Sequence, residues 1–152
     1  MTGSGDLDHC GVGIRGVAVA IDSFVWFVLL FVAVFPVAAV TGDVSTSGGT
    51  TNADLSGTPA VVALALWLAL GVGYHALLEW RYGRTVGKYL VKIRATSADG
   101  SSLSLREAVV RNALRLVDWL PLCYAVGIAA VLTSGRAQRL GDRVADTVVV
   151  RD

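Results

Sequence analysis

The sequence predicts an all-α integral membrane protein with two full transmembrane helices, a cytoplasmic-side helical hairpin and a small cytoplasmic β element. Of its 152 residues, 54% are hydrophobic and 16% are charged, and the mean hydropathy is +0.62. Soluble domains contain about 25% charged residues. Two apolar stretches reach or exceed the roughly 20 residues that a helix needs to cross a bilayer. The length suits a single membrane domain, residues 15–150, after a mobile N-terminal arm, residues 1–14.

The two predicted spans are separated by a polar loop. The first span, about residues 16–40, contains Asp22 as its only charged residue. An extracellular loop is predicted at 41–58, because 12 of its 18 residues are Gly, Ser or Thr and such stretches favour solvated turns. The second span, about residues 59–80, begins with a proline, which a first helical turn tolerates. It ends beside tryptophan and tyrosine, which are typical of the membrane interface.

A small β element is predicted in the centre of the chain. We place this cytoplasmic β segment at residues 86–103, because apolar and polar residues alternate from Val91 to Thr96. Alternation with a period of two is the pattern of a strand with one buried face. An Asp-Gly pair follows at residues 99–100 and is typical of a turn.

The last third of the chain predicts two shorter helices and a tail. Ser104 and Glu107 match a capping box, which predicts a helix over about residues 105–118. The next apolar stretch, about residues 119–133, has 15 residues, too few for a comfortable crossing. The cytoplasmic tail, residues 134–152, is charged and includes a short apolar run typical of a strand.

The placement of cations predicts the orientation in the cell membrane. None of the 13 lysines and arginines lies within residues 41–58. Because cytoplasmic loops of membrane proteins are enriched in these residues, we expect that loop outside and both termini in the cytoplasm. A third full crossing would place the arginines of the tail outside. A hairpin that enters and returns over residues 105–133 is therefore favoured, and three ordinary spans are the alternative.

Charged residues near the first span predict a polar feature inside the protein. Arg15 and Asp22 are seven residues apart, which places them on one face of a helix. An ionised Asp in hydrocarbon costs roughly 2.5–3.5 kcal/mol on insertion scales, so it normally has a partner or a polar cavity. Asp22 is therefore expected to be partnered.

The predicted helix at 105–118 has a polar face of its own. Glu107, Arg111, Arg115 and Asp118 recur at spacings of four, four and three residues. This face could meet lipid head groups as part of an interfacial amphipathic helix. Alternatively, Arg115 and Asp118 turn inward and form a buried ionic cluster with the pair in the first span. That cluster would either hold the helices in one arrangement or bind a cation or a proton.

Secondary candidates lie in the second span and in the tail. His75 and Glu79 are four residues apart and predict either a hydrogen-bonded pair or a titratable pair. Arg139 and Asp142 belong to a dense polar motif that a solvated tail would also explain. We expect this motif to dock onto residues 81–100, since both segments offer opposite charges and strand pairing.

The sequence gives little support to other function classes. The segment from Gly83 to Lys88 is one residue short of a phosphate-binding P-loop and lacks its Ser or Thr. Asp8, His9 and Cys10 are possible metal ligands, but no second cluster completes a four-ligand site. A net charge of +1 does not favour nucleic acid as a partner. We therefore predict neither an enzyme nor a cofactor or metal site.

These elements together resemble the RDD family of small membrane proteins, named for an arginine and two aspartates. Arg15, Asp22 and Asp118 are similar to those three residues. Thr85–Lys88 is similar to the family's glycine-lysine element, and residues 138–149 are similar to its closing element. One departure is Asp146, which stands where a glycine is common.

The resemblance covers about residues 15–150 and implies a prokaryotic multi-pass membrane protein. It also implies a transport-related or ion-coupled role, since sodium/proton exchange is suggested for some members. Asp22 and Asp118 would then bind a monovalent cation or a proton, with Arg15 and Arg115 as their charge partners. The expected partners are the lipid bilayer and a second copy or another membrane protein. The alternative function is a non-transporting scaffold that binds lipid or a partner and whose ionic cluster is structural.

Overall fold

A computed structural model describes residues 10–118, 138 and 140–151, without the side chains of Val12, Val117, Asp118 and Leu140. The structure is mostly helical, as predicted, and includes two long apolar helices. The described elements in chain order are α1 (Val12–Thr41), β1 (Val44–Ser47), β2 (Thr50–Ala53), α2 (Gly57–Tyr82), α3 (Val86–Leu90), β3 (Ile93–Ser97), α4 (Leu105–Asp118), α5 (Leu140–Val144) and β4 (Thr147–Arg151).

The chain divides into two compact units. One comprises Met1–Asp22 and Tyr74–Asp152, and we call it the charged unit. The other comprises Ser23–Gly73, and we call it the apolar unit. The apolar stretch predicted at 119–133 as the second half of a helical hairpin lies outside the described residues.

Helices α1 and α2 are long and apolar enough to cross a membrane. Only 17% and 22% of the residues in their most apolar windows are buried. Large apolar side chains such as Phe24 and Val61 are exposed on them, at 70% and 64%. A core helix of a soluble protein would bury such residues, so this exposure is compatible with helices that face lipid.

Two tryptophans and a glycine organise the apolar unit. The rings of Trp26 and Trp67 meet edge to face with centroids 5.5 Å apart, and Trp67 Nε1 donates to the Trp26 carbonyl at 2.9 Å. A Cβ atom at Gly71 would overlap the Trp26 ring. A small residue therefore lets the bulky indole pack against α2.

The predicted loop at 41–58 contains a β-hairpin. Strands β1 and β2 pair antiparallel from Val44↔Ala53 to Ser47↔Thr50. Gly48 and Gly49 form the turn with φ of +59° and +80°, the left-handed conformation that two-residue hairpin turns require. Seven of their eight residues are exposed, and six of the eight are Ser, Thr or Asn. Hydrophobic alternation therefore could not reveal them.

Strands β3 and β4 form the sheet of the charged unit. They pair antiparallel, with Ile93 opposite Arg151 and Ser97 opposite Thr147. The prediction that the tail docks by strand pairing onto residues 81–100 is confirmed. Residue Cys10 is buried and its backbone N–H donates to the Val149 carbonyl at 3.0 Å.

The predicted mobile arm differs from the structure in its last residues. Cys10 is buried and hydrogen-bonded to β4, and α1 already begins at Val12, although Gly11 and Gly13 are exposed. The glycines at 11 and 13 suggested flexibility, but a backbone hydrogen bond from Cys10 to β4 and the start of a long helix fix the backbone of this segment. Residues 1–9 lie outside the described part of the chain.

The predicted β segment at 86–103 is only partly a strand. Val86–Leu90 forms the short helix α3, whose N-cap Thr85 accepts a hydrogen bond from the Lys88 backbone N–H at 3.4 Å. Lys92 then adopts a φ of +54° before β3 begins. The threonine cap explains the helix, because it satisfies an N–H group that has no intrahelical partner.

The capping box at the start of α4 is confirmed. The Glu107 backbone N–H donates to Ser104 Oγ at 3.2 Å, and the Ser104 backbone N–H donates to Glu107 Oε2 at 2.7 Å. Hydrogen bonding by Ser104, with a further bond from Ser97, holds the pKa of Glu107 below its ordinary value. A lowered pKa stabilises the fold above the unfolded-state pKa, and this contribution is lost as the pH falls through the folded-state pKa.

Candidate functional site

Asp22 is buried on α1 and accepts hydrogen bonds from uncharged groups. Only 1% of the Asp22 surface is exposed. Tyr74 Oη donates to it at 3.0 Å, Thr85 Oγ1 at 2.6 Å and the Gly87 backbone N–H at 2.9 Å. The Gly87 N–H belongs to the first turn of α3, where backbone donors have no intrahelical acceptor. Asp22 thus supplies the acceptor that this helix start needs.

Gly87 is positioned so closely that a side chain would not fit. A Cβ atom there would overlap the backbone carbonyl oxygen of Ala18 and would meet the Asp22 carboxyl carbon at 3.0 Å. The absence of a side chain lets the backbone of α3 approach α1 and reach the carboxylate. Glycine at this position is therefore part of the Asp22 site.

Glu79 is the second buried carboxylate and lies on α2. It forms an ion pair with Lys88 and lies 3.3 Å from Arg111 Nε. Asn112 Nδ2 also donates to Glu79 Oε2 at 2.8 Å. Both oxygens are therefore engaged by charged or polar donors, as a buried carboxylate requires.

Asp142 is the third buried carboxylate and lies on α5. Arg15 Nη2 donates to Asp142 Oδ2, and Arg111 Nη2 lies 2.8 Å from Oδ1. A Cβ atom at Gly141 would lie 2.7 Å from the Arg111 carbonyl oxygen, so this glycine lets α5 approach α4. The tail is thereby joined to the first helix through an ion pair between residues 127 positions apart.

Arg111 connects two of these carboxylates. It is 4% exposed and makes ion pairs with both Glu79 and Asp142. Burial alone lowers the pKa of Arg111, but the two carboxylates outweigh it and hold the pKa above its ordinary value. The guanidinium therefore remains charged and balances two buried anions.

His75 and Arg115 form a second buried contact in the charged unit. Arg115 Nη1 lies 3.3 Å from His75 Nδ1, and both residues are buried. A guanidinium has donors and no acceptor, so Nδ1 is the acceptor and carries no proton in this contact. The ring of His75 also lies edge to face against Tyr74 at 5.0 Å, which places it beside a donor to Asp22.

The structure describes three of the four side chains of the predicted ionic cluster. Arg15, Asp22 and Arg115 are all buried in the charged unit, where Arg15 pairs with Asp142 and Arg115 contacts His75. The side chains of Asp118 and Arg139 lie outside the described residues. Arg111 and Arg115 are 4% and 5% exposed. The alternative of a solvated polar face meeting lipid head groups is therefore wrong for these two arginines.

Several polar residues of this site were not predicted. Tyr74, Thr85 and Asn112 donate to the buried carboxylates, and Lys88 neutralises Glu79. Thr85 and Lys88 could have been predicted as site residues, since both belong to the segment that resembles the glycine-lysine element of the family. Nothing in the sequence marks Tyr74 and Asn112 as site residues. A tyrosine in a membrane span and an asparagine beside an arginine occur in many structural environments.

All the buried charged residues described above lie in the part of the chain that one family model matches. The RDD family model matches residues 10–146. The chain belongs to the RDD family. The proteins of this family are membrane proteins, so membrane residence of the RDD chain is supported by the family and by α1 and α2 together. No curated protein and no solved structure is significantly similar to it.

The described residues offer no ready metal site. Among them, no group of three or more His, Cys, Asp or Glu side chains is placed to hold a metal ion. The buried carboxylates of Asp22, Glu79 and Asp142 instead meet arginine, lysine, amide and hydroxyl donors. The arrangement can hold charge within a low-dielectric interior, and at Asp22 it combines a carboxylate with two hydroxyl groups.

Proposed function

We propose that this RDD protein is a transport-related or ion-coupled membrane component in which Asp22 takes up a proton or a monovalent cation. The observation that supports this is the contrast between Asp22 and the other buried carboxylates. Glu79 and Asp142 are neutralised by cations, whereas the hydrogen bonds to Asp22 come from two hydroxyls and a backbone N–H. Hydroxyl and carboxylate oxygens are also suitable ligands for a hard cation.

The flux of protons across a liposome membrane tests this role. Asp22→Asn removes the charge and keeps the shape, so cation-dependent proton movement should fall at least tenfold relative to the unchanged chain. Asp54→Asn is the matched control, since Asp54 is an exposed aspartate between β2 and α2, and its flux should be unchanged. Thermal unfolding in detergent shows whether each variant is folded. Equal flux through folded Asp22→Asn would contradict the proposed role.

A second candidate function is a non-transporting scaffold with a structural ionic network. It is favoured by Arg111, which links a carboxylate on α2 to one on α5 and is itself on α4. Buried ion pairs can specify one arrangement of helices without any transport. A folded wild-type chain that moves neither protons nor cations in liposomes would support the scaffold and overturn transport.

We also propose that the chain is a multi-pass protein of the cell membrane with its termini in the cytoplasm. The absence of lysine and arginine from residues 41–58 supports this orientation. In a background without Cys10 and Cys123, Thr50→Cys should react with an impermeant maleimide on intact cells. Asp99→Cys should react only after permeabilisation. The opposite labelling pattern would mean that the orientation is reversed.

A further inference from the structure

The outward face of the short helix α3 is apolar. Tyr89 and Leu90 follow Val86 by three and four residues, so the three side chains lie on one face of the helix. They are 63%, 60% and 46% exposed, respectively. The opposite face contains Gly87 and Lys88, which are buried. A helix that faces water would place its lysine outward, so this arrangement indicates an apolar environment outside the protein.

Helix α3 directly follows a helix that is long enough to cross a membrane. Helix α2 ends at Tyr82, and α3 begins at Val86, so the two Cα atoms are at most about 14 Å apart. Trp80 and Tyr82 are exposed at this end of α2. Exposed tryptophan and tyrosine residues concentrate at the level of the lipid head groups. The apolar face of α3 therefore lies close to the depth at which α2 leaves the hydrocarbon.

The segment that contains α3 is positively charged. Residues 80–98 include five lysines and arginines and no aspartate or glutamate. Arg81 precedes α3 and Lys92 follows it, and both residues are exposed. The Arg84 guanidinium lies 5.3 Å from the centre of the Tyr89 ring, which places a further cation beside the apolar face. Such a segment is complementary to a membrane surface that carries anionic lipids.

The other side of α3 is attached to Asp22. The N-cap residue Thr85 donates its hydroxyl to the carboxylate at 2.6 Å, and the Gly87 backbone N–H donates to it at 2.9 Å. The exposed apolar side chains and these two donors therefore belong to the same helix and its cap. A displacement of α3 would change both sets of contacts.

We propose that α3 is a membrane anchor whose exposed apolar face inserts into the head-group layer of an anionic bilayer, and that this contact holds Thr85 and Gly87 on Asp22. The apolar side chains enter the boundary between head groups and acyl chains, and the cations before and after the helix meet lipid phosphates. The anchor does not depend on whether the protein transports anything.

The depth of a spin label on α3 tests the anchor. Leu90→Cys, in the background without Cys10 and Cys123, is labelled with a nitroxide, and the full chain is reconstituted in phosphatidylglycerol vesicles. Collision rates with oxygen and with a water-soluble nickel chelate give the depth of the label. It should lie about 5–10 Å inside the level of the lipid phosphates. Asp99→Cys is the control, since Asp99 is an exposed residue of the turn after β3, and its label should lie in water. Equal access of the chelate to both labels would overturn the anchor.

A change of lipid tests the role of charge. In phosphatidylcholine vesicles the label at residue 90 should be shallower, because the cations beside α3 lose their anionic partners. The double variant Arg81→Gln/Lys92→Gln should abolish this difference between the two lipids. Arg106→Gln/Arg143→Gln is the charge-matched control, since both arginines are exposed and lie on other helices, and it should keep the difference. Equal depth of the label in both lipids would overturn the preference for an anionic surface.

Hydrogen exchange tests the link between the membrane and Asp22. The backbone amides of residues 86–90 should exchange more slowly in phosphatidylglycerol than in phosphatidylcholine vesicles, and Arg81→Gln/Lys92→Gln should abolish that dependence on lipid. The amides of residues 93–97 are the internal control, because their ladder with β4 is separate from the bonds to Asp22, and they should exchange equally in both lipids. Equal exchange of residues 86–90 in both lipids would overturn the link.

A second copy of the chain is the competing occupant of the apolar face. It would shield the label at residue 90 from both oxygen and the nickel chelate, and two such labels would broaden each other's spectra. That result would overturn the lipid assignment and identify the face as a contact between two copies.

Discussion

Gly87→Ala should destabilise the protein by about 3–5 kcal/mol, the sum of an overpacked contact and a lost hydrogen bond to a buried charge. The added methyl would overlap the backbone carbonyl oxygen of Ala18 and crowd the Asp22 carboxylate. Relief requires α3 to move away from α1, which breaks the bond from the Gly87 N–H to Asp22. The loss of unfolding free energy is measured by denaturant titration in detergent micelles.

Two further variants make that measurement specific. Gly16→Ala is the matched control, because Gly16 is also a helical glycine of the charged unit and a Cβ atom there meets nothing within 4 Å. It should be neutral or stabilise the helix by about 0.5–1 kcal/mol. Ala18→Gly should not rescue Gly87→Ala, because the overlap involves the main-chain oxygen of Ala18. A rescue, or a Gly87→Ala variant as stable as the control, would contradict the close approach.

The helices were largely predictable because their signals are local. The apolar length of α1 and α2 and the reciprocal Ser104–Glu107 cap each depend on residues a few positions apart. The strand at 147–151 was equally visible, and its partner on β3 followed from the alternation that begins at Val91. Helix α3 was missed because five residues contain too little periodicity to outweigh a neighbouring strand pattern.

The partners of the buried charges were much harder to predict. Spacing placed Arg15 and Asp22 on one face of a helix, which made them candidates for each other. In the structure, Arg15 pairs with Asp142, which is 127 positions away. Asp22 instead accepts hydrogen bonds from residues of α2 and from the start of α3. Such choices depend on which elements fold together, and neither charge nor spacing encodes that.

Glu79→Gln should destabilise the protein by about 3–5 kcal/mol, the usual cost of removing one partner from a buried ion pair. The neutral amide removes the Glu79 charge from Lys88 and leaves Arg111 with Asp142 as its remaining anion. Lys88 is 5% exposed, so water cannot readily replace the lost partner. The same denaturant titration measures the effect.

A double-mutant cycle distinguishes a charge effect from a packing effect. Lys88→Met alone should also destabilise, because it leaves Glu79 with one cation fewer. The double variant Glu79→Gln/Lys88→Met should be more stable than Glu79→Gln, because it removes the buried cation that has lost the Glu79 carboxylate and keeps a side chain of similar length. Simple additivity would mean that the two side chains act independently. The loss of stability in Glu79→Gln would then come from its packing and its other hydrogen bonds, and not from its pairing with Lys88.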